Sequence, residues 1–198
     1  VIDDASTDKT GNVARAAGAI VLPLAVRLGA WGASQTGLRY ALGNDYRYVV
    51  TMDADGQHLA DFIPRMLAPV RNGEADVAIG SCTGRGSRSR RIAWRFFRGL
   101  TGLDVQDLTS GFRIYNQRTI ELLASAEATL LEYQDIGVLT LLRANGLRIQ
   151  EIPVTMKPRH AGHSRIFGTW AAVLYYLLYT GVLCISKWNP ADARTARD

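Results

Sequence analysis

Tyr46-Arg47-Tyr48-Val49-Val50-Thr51-Met52 runs straight into Asp53-Ala54-Asp55-Gly56-Gln57-His58, and this junction constrains the chain more than any other stretch. The first run is rich in β-branched and aromatic residues, the composition of an interior strand. Two carboxylates at i and i+2, where such a strand ends, can converge on one ligand beyond the sheet's carboxyl edge, which is where open α/β sheets bind. Paired carboxylates repel one another unless positive charge lies between them, and a hard divalent cation with oxygen ligands, Mg²⁺ or Mn²⁺, is the usual answer. Such an ion fills its other positions with water and substrate phosphates, so Asp53 and Asp55 predict a nucleotide-type substrate. The competing reading is a solvated turn carrying two surface Asp residues, since turns favour Asp.

A second acidic element sits at the start of the chain. Val1-Ile2-Asp3-Asp4-Ala5-Ser6-Thr7-Asp8 reads as a strand end and an acidic turn, with a helix start behind it. Asp8 is placed to cap that helix. Asp3 and Asp4 come too early to cap it and fall again at a strand's carboxyl end. Two acidic strand ends in one α/β chain suggest a shared cleft.

These residues resemble family 2 glycosyltransferases. Residues 2–8 are similar to the family's Asp-Asp-Gly-Ser-Thr-Asp turn, and residues 53–58 to the Asp-x-Asp-Gly-Gln-His form found in the dolichol-phosphate mannose synthase and polyprenyl-phosphate glycosyltransferase branch. Asp107-Leu108-Thr109-Ser110-Gly111-Phe112-Arg113 resembles the Asp-x-Thr-Ser-Gly-Phe-Arg segment of that branch. Gly146 to Val154, followed by Arg159, Gly162, Ser164 and Arg165, resembles its carboxyl-terminal motif. The four motifs occur in the expected order over residues 1 to 166.

The resemblance implies a GT-A type nucleotide-diphospho-sugar transferase fold. Strand and helix patterns over residues 19–22, 33–42, 46–52, 59–70 and 75–80 alternate, as a mostly parallel sheet flanked by helices requires. The resemblance also implies a further strand ahead of Val1, so the expected sheet lacks its first strand, with an open edge and an incomplete base pocket. The domain reading is a GT-A catalytic domain over residues 1–166, an apolar membrane-associating helix over 167–187 and a polar tail over 188–198.

For mechanism, Asp53 and Asp55, with Gln57 as a further candidate ligand, would neutralise charge on a departing diphosphate. The resemblance implies that Asp3 or Asp4, with Ser6, contacts the ribose or base. Arg113, Arg159 and the loop containing Arg85 are candidates for phosphates of donor or acceptor, beside Ser110 and Ser164. A hydroxyl acceptor needs a general base, for which Asp107, Glu132 and Asp135 are candidates, whereas a lipid phosphate is already an anion and needs none. Asp107 could equally be a structural turn residue, and His58 a helix-entry residue. His160 and His163, three residues apart with no carboxylate beside them, make a poor metal site.

Charge points the same way. The net charge is +5, and with only Lys9, Lys157 and Lys187 among 23 basic residues the remainder are Arg, the side chain suited to phosphate. Six Arg fall between Arg85 and Arg98 with no acid among them and with Trp94, Phe96 and Phe97 interleaved. No nucleic-acid motif accompanies this run, so anionic lipid head groups and a phosphate-bearing acceptor are the expected partners, with a solvated face as the plain alternative. Between Arg165 and Lys187 lie 21 uncharged residues including Trp170, Tyr175, Tyr176 and Tyr179. An interfacial helix fits the mid-segment Tyr residues better than a full span, and the expected location is the cytoplasmic face of a membrane. Cys82 and Cys184 have no metal-like spacing, and the oligomeric state is not legible.

The expected activity is therefore an inverting, metal-dependent transfer of sugar from a nucleotide-diphosphate donor to a polyprenyl phosphate or glycan acceptor. The alternatives are a truncated, inactive nucleotide-sugar-binding remnant and a metal-dependent nucleotidyltransferase. Arg27 and Trp31 stand where relatives usually have Asn and a small or basic residue, and Cys82 where many have Arg, which points to an unusual donor or a decayed site.

Overall fold

In the computed structural model, the structure describes residues 1–82, 102–131 and 135–157, together with residues 95, 98, 99, 179, 181 and 182. The elements, in order, are β1 (Ile2–Asp3), α1 (Thr10–Ala16), β2 (Leu22–Pro23), α2 (Gly29–Gly43), β3 (Tyr48–Thr51), a 3₁₀ turn (Ala60–Phe62) running into α3 (Ile63–Arg71), β4 (Val77–Ser81), β5 (Arg113–Asn116), α4 (Gln117–Ala124), a 3₁₀ turn (Glu127–Leu130), α5 (Ile136–Ala144) and β6 (Ile149–Pro153). The strands form a two-stranded sheet, β1-β2, and a four-stranded sheet in the order β3-β5-β4-β6.

The sheet is mixed rather than mostly parallel. β1 pairs with β2 and β4 with β6 in parallel, but β5 runs antiparallel to both β3 and β4. The expectation failed at β5. Arg113-Ile114-Tyr115-Asn116 is too short to show a period of its own. Once inserted, it is buried on both faces. Ile114 joins Met66, Val70, Ala78 and Phe112 on the α3 side, while Tyr115 joins Val77, Ile79, Leu38, Ile120 and Leu139 on the side of α2, α4 and α5. Neighbouring residues point to opposite faces of a strand, so β4 and β5 feed two hydrophobic layers at once.

Helix α2 is tied at its start and along its length. At its start, the Asp4 carboxylate accepts the N–H of Leu28 (2.6 Å) and of Gly29 (3.0 Å), satisfying donors that a helix leaves unpaired. Along its length it caps its neighbour. Gln35 donates to the carbonyls of Leu123 and Ser125, and Arg39 to that of Ala124, the carbonyls that end α4. Trp31 is buried, and its indole donates to the Ala128 carbonyl at 2.8 Å. The Trp at this position is thus a core residue.

Asp76 locks β4, β5 and β6 together at one end. Its carboxylate accepts the Arg148 N–H (2.8 Å), the Arg148 guanidinium (3.2 Å) and the Asn116 amide (2.8 Å). Burial alone would raise its pKa, but these hydrogen bonds, with the charge of Arg148, outweigh it and lower the value. Because the folded value lies below the ordinary 3.8, Asp76 contributes its full stabilisation above that pH and loses it as pH falls through the folded pKa. Asp76→Asn is expected to cost about 1–3 kcal/mol at neutral pH and to flatten the acid limb of stability, measured by urea unfolding from pH 3 to 7.

Candidate active site

Between the two sheets lies a cavity of about 620 Å³. Val1 and Ile2 of β1 border it on one side, Val49, Val50 and Thr51 of β3 on another, and Ser34 and Gly37 of α2 beneath. It reaches Asp53 and Ala54, so the Asp-x-Asp segment stands at its rim, and the strand that leads into Asp3 and Asp4 forms another of its walls.

The acidic turn after β1 is built from its own backbone. The Asp3 carboxylate accepts the Ser6 N–H at 3.1 Å, and the Ala5 N–H reaches the Asp3 carbonyl at 2.8 Å. Ala5 has φ of 54°, in the left-handed region that costs residues with a β-carbon. The resembling motif has Gly at this place, and the turn shows why. Of the two acids, Asp4 spends its carboxylate on the start of α2, while Asp3 lies against α1, where a β-carbon on Gly11 would meet its Oδ2 at 2.7 Å.

In the second acidic turn, Asp53 is exposed and Asp55 half-buried. Asp55 Oδ1 accepts the Gln57 N–H at 3.1 Å, an Asx-type closure that curls the loop. Gln57 exchanges bonds with the chain after β6: the Lys157 N–H donates to the Gln57 carbonyl at 3.0 Å, and the Gln57 side-chain nitrogen donates to the Lys157 carbonyl at 3.3 Å. His58 is buried beneath the turn and accepts the Asp53 N–H on Nδ1 at 3.0 Å. His58 is therefore more than a helix-entry residue, and the sequence signal for it was only its place directly behind the acidic pair.

Among the described residues, no group of three or more His, Cys, Asp and Glu side chains is arranged to hold a metal. Two carboxylates and one carboxamide oxygen nevertheless suit a hard ion that takes its other ligands from water and a diphosphate. The donor set fits a Mg²⁺ or Mn²⁺ bound together with its nucleotide.

The segment 107–113 lies behind this rim and not on it. Asp107 is buried and accepts the N–H of Cys82 (3.2 Å) and both the N–H and hydroxyl of Thr109 (3.3 Å each). Ser110 is buried and donates to the Gly80 carbonyl at 2.6 Å. Arg113 is only 1% exposed, with Nε donating to the Ser110 carbonyl at 2.8 Å and Nη2 to that of Leu108 at 3.4 Å. Arg113 and Ser110, expected at substrate phosphates, are thus buried, with hydrogen bonds to backbone carbonyls of the turn and of Gly80. Glu151, to which its motif alone assigns no role, clamps the turn: its two carboxylate oxygens accept the N–H groups of Gln106 and Asp107 at 2.7 and 2.8 Å. Asp135 caps α5, accepting the Ile136 N–H at 2.8 Å. Arg85, Glu132, Arg159, His160, His163 and Ser164 lie outside the described residues, as does the 167–187 segment apart from residues 179, 181 and 182. Among the described residues, no helix is long and apolar enough to cross a membrane.

A mixed sheet between helices, with acidic turns following β1 and β3, defines a GT-A-like glycosyltransferase architecture. The structure superposes with a TM-score of 0.65 on glucosyl-3-phosphoglycerate synthase from Mycobacterium tuberculosis, solved with Mn²⁺ and uridine-diphosphate-glucose, at 25% identity over 92% of this chain and 67% of that one. Residues 1–126 match glycosyl transferase family 2, and the chain belongs to that family. It is 35% identical to the undecaprenyl-phosphate mannosyltransferase of Micrococcus luteus, over 96% of this chain and 82% of the relative. To the polyprenol monophosphomannose synthase of Mycolicibacterium smegmatis it is 30% identical, over 85% of this chain and 70% of the relative. The protein is a glycosyltransferase, which removes the nucleotidyltransferase reading.

The left-handed Ala5 gives a direct test of the first acidic turn. Ala5→Val should lower unfolding free energy by about 1–2 kcal/mol, while Ala5→Gly should match or exceed the parent. Urea denaturation of the three chains measures both.

Proposed function

We propose that this chain transfers a mannosyl group from a nucleotide-diphosphate sugar to a polyprenyl phosphate, with inversion at the anomeric carbon. The observation that carries this reading is the exposed Asp53 at the rim of the cavity, with Asp55 curled behind it. The names of the relatives support the sugar and the acceptor class.

The donor diphosphate would lie over the Asp53–Gln57 loop. A divalent ion bound there by Asp53, Asp55 and the Gln57 carboxamide oxygen would supply positive charge against the departing diphosphate. The chain's own residues hold the geometry. Lys157 and His58 brace the loop from two sides, so its carboxylates need little reorganisation when the donor arrives.

The acceptor argument comes from the carboxylates that are otherwise engaged. A hydroxyl acceptor must lose a proton to a base, yet Asp107 is buried on the Cys82 and Thr109 backbone and Asp135 caps a helix. A phosphate oxygen is already anionic and attacks without that help. Two of the three candidate bases being used in this way favours the lipid phosphate over a sugar hydroxyl. The basic run from Arg85 to Arg98 would then meet anionic head groups on the cytoplasmic face of the membrane, near the acceptor.

Calorimetric titration of GDP and UDP, with and without Mn²⁺, should show metal-dependent binding of one nucleotide. Turnover with nucleotide-activated mannose and undecaprenyl phosphate should release nucleoside diphosphate. Asp55→Asn should lower the rate at least about 100-fold with an unchanged melting temperature, and Asp135→Asn should lower it less than about tenfold, well short of the roughly 100-fold that losing a general base costs at the least. Full activity in Asp55→Asn overturns the metal assignment, and a large loss in Asp135→Asn restores a general base.

A further inference from the structure

We propose that His58 is a positioning residue that fixes the Asp53 backbone against the protein core, and so sets the direction of the carboxylates at the cavity rim. The inference rests on the reading of Asp53 and Asp55 as the donor site and adds a residue to its machinery.

Four contacts make the link. His58 Nδ1 accepts the Asp53 N–H at 3.0 Å, so the imidazole is neutral with its proton on Nε2. Its ring stacks on Phe112 with centroids 5.1 Å apart and planes 20° from parallel. Phe112 is itself 1% exposed, and its own backbone is fixed twice: its N–H donates to Ser110 Oγ at 3.3 Å, and its carbonyl accepts the Gly80 N–H at 2.9 Å. A path of direct contacts therefore runs from the exposed Asp53, through a buried imidazole and a buried phenyl ring, to the middle of the four-stranded sheet.

Such a path matters because Asp53 is the second residue past the end of β3, beyond the ladder that holds Thr51 to Arg113. Without an acceptor for its N–H, nothing in the β3–β5 register carries order to that carboxylate. Groups that orient metal ligands from behind typically affect metal affinity tenfold to a hundredfold when removed. The His58 ring also supplies packing, and the two contributions are separable by substitution. His58→Phe keeps a ring to stack on Phe112 but has no acceptor; His58→Asn keeps an acceptor close to the backbone but no ring.

The test measures Mn²⁺ affinity in the presence of GDP or UDP, together with amide hydrogen exchange at Asp53 in the protein without nucleotide. His58→Phe should keep the parent's melting temperature, bind Mn²⁺ at least about tenfold more weakly and exchange the Asp53 amide faster. His58→Asn should recover part of both. Parent-like Mn²⁺ affinity in His58→Phe overturns the proposal and assigns His58 to packing alone; equal loss in both variants overturns it as well, because the acceptor kept by Asn then recovers nothing. If the unsubstituted chain binds Mn²⁺ with neither nucleotide, the donor-site reading fails, while unchanged Asp53 exchange in His58→Phe separately overturns the positioning role.

Discussion

A β-carbon at Gly80 would lie 2.9 Å from Cδ1 of Phe112, with Met66 Sδ at 3.2 Å and Val154 Cγ2 at 3.3 Å. β4 and the turn before β5 come together only because this position has no side chain. That close approach lets Ser110 reach the Gly80 carbonyl, lets the Gly80 N–H reach the Phe112 carbonyl, and fixes the plane on which His58 stacks. Two motifs more than fifty residues apart in sequence thereby share one support. The acidic loop is exposed to ligand on one side and rests on packed core on the other.

The same economy of polar groups recurs around the site. Carboxylates elsewhere do architectural work: Asp4 starts α2, Asp76 joins three strands, Asp107 and Glu151 fold one turn from two directions. No buried side-chain nitrogen or oxygen among the described residues lacks a partner, as the cost of burying an unpaired polar group demands. Asp53 is the acid that the fold leaves exposed at the cavity rim, with Asp55 half-buried behind it.

Much of this was legible in the residues. The strand ending at Met52, the acid pair behind it, the α2 and α3 helices and the β4 strand follow from composition and period, and their boundaries fall within a few residues of those observed. Some readings were not legible. Arg113 and Ser110 have the chemistry of phosphate ligands, and their burial is visible only in the fold. Trp31 reads as an altered loop until its indole is found on the Ala128 carbonyl, almost a hundred residues away. Period and propensity are local quantities, whereas a long side chain is spent wherever the fold brings a partner within reach.

The sequence by itself determined the class of protein: an α/β chain with two acidic strand ends, family 2 motifs in order, and a cationic balance suited to phosphate. Those features depend on residue type and near-neighbour spacing. The tertiary structure alone decided the direction of β5, and with it which acids line the cavity and which hold the scaffold. β5 is four residues long, too few for its own pattern to state a direction, and its place is fixed by ladders to β3 and β4 and by side chains buried in two layers at once. Non-local pairing of that kind is settled by the sum of burial and hydrogen bonding over the whole sheet, which no local window contains.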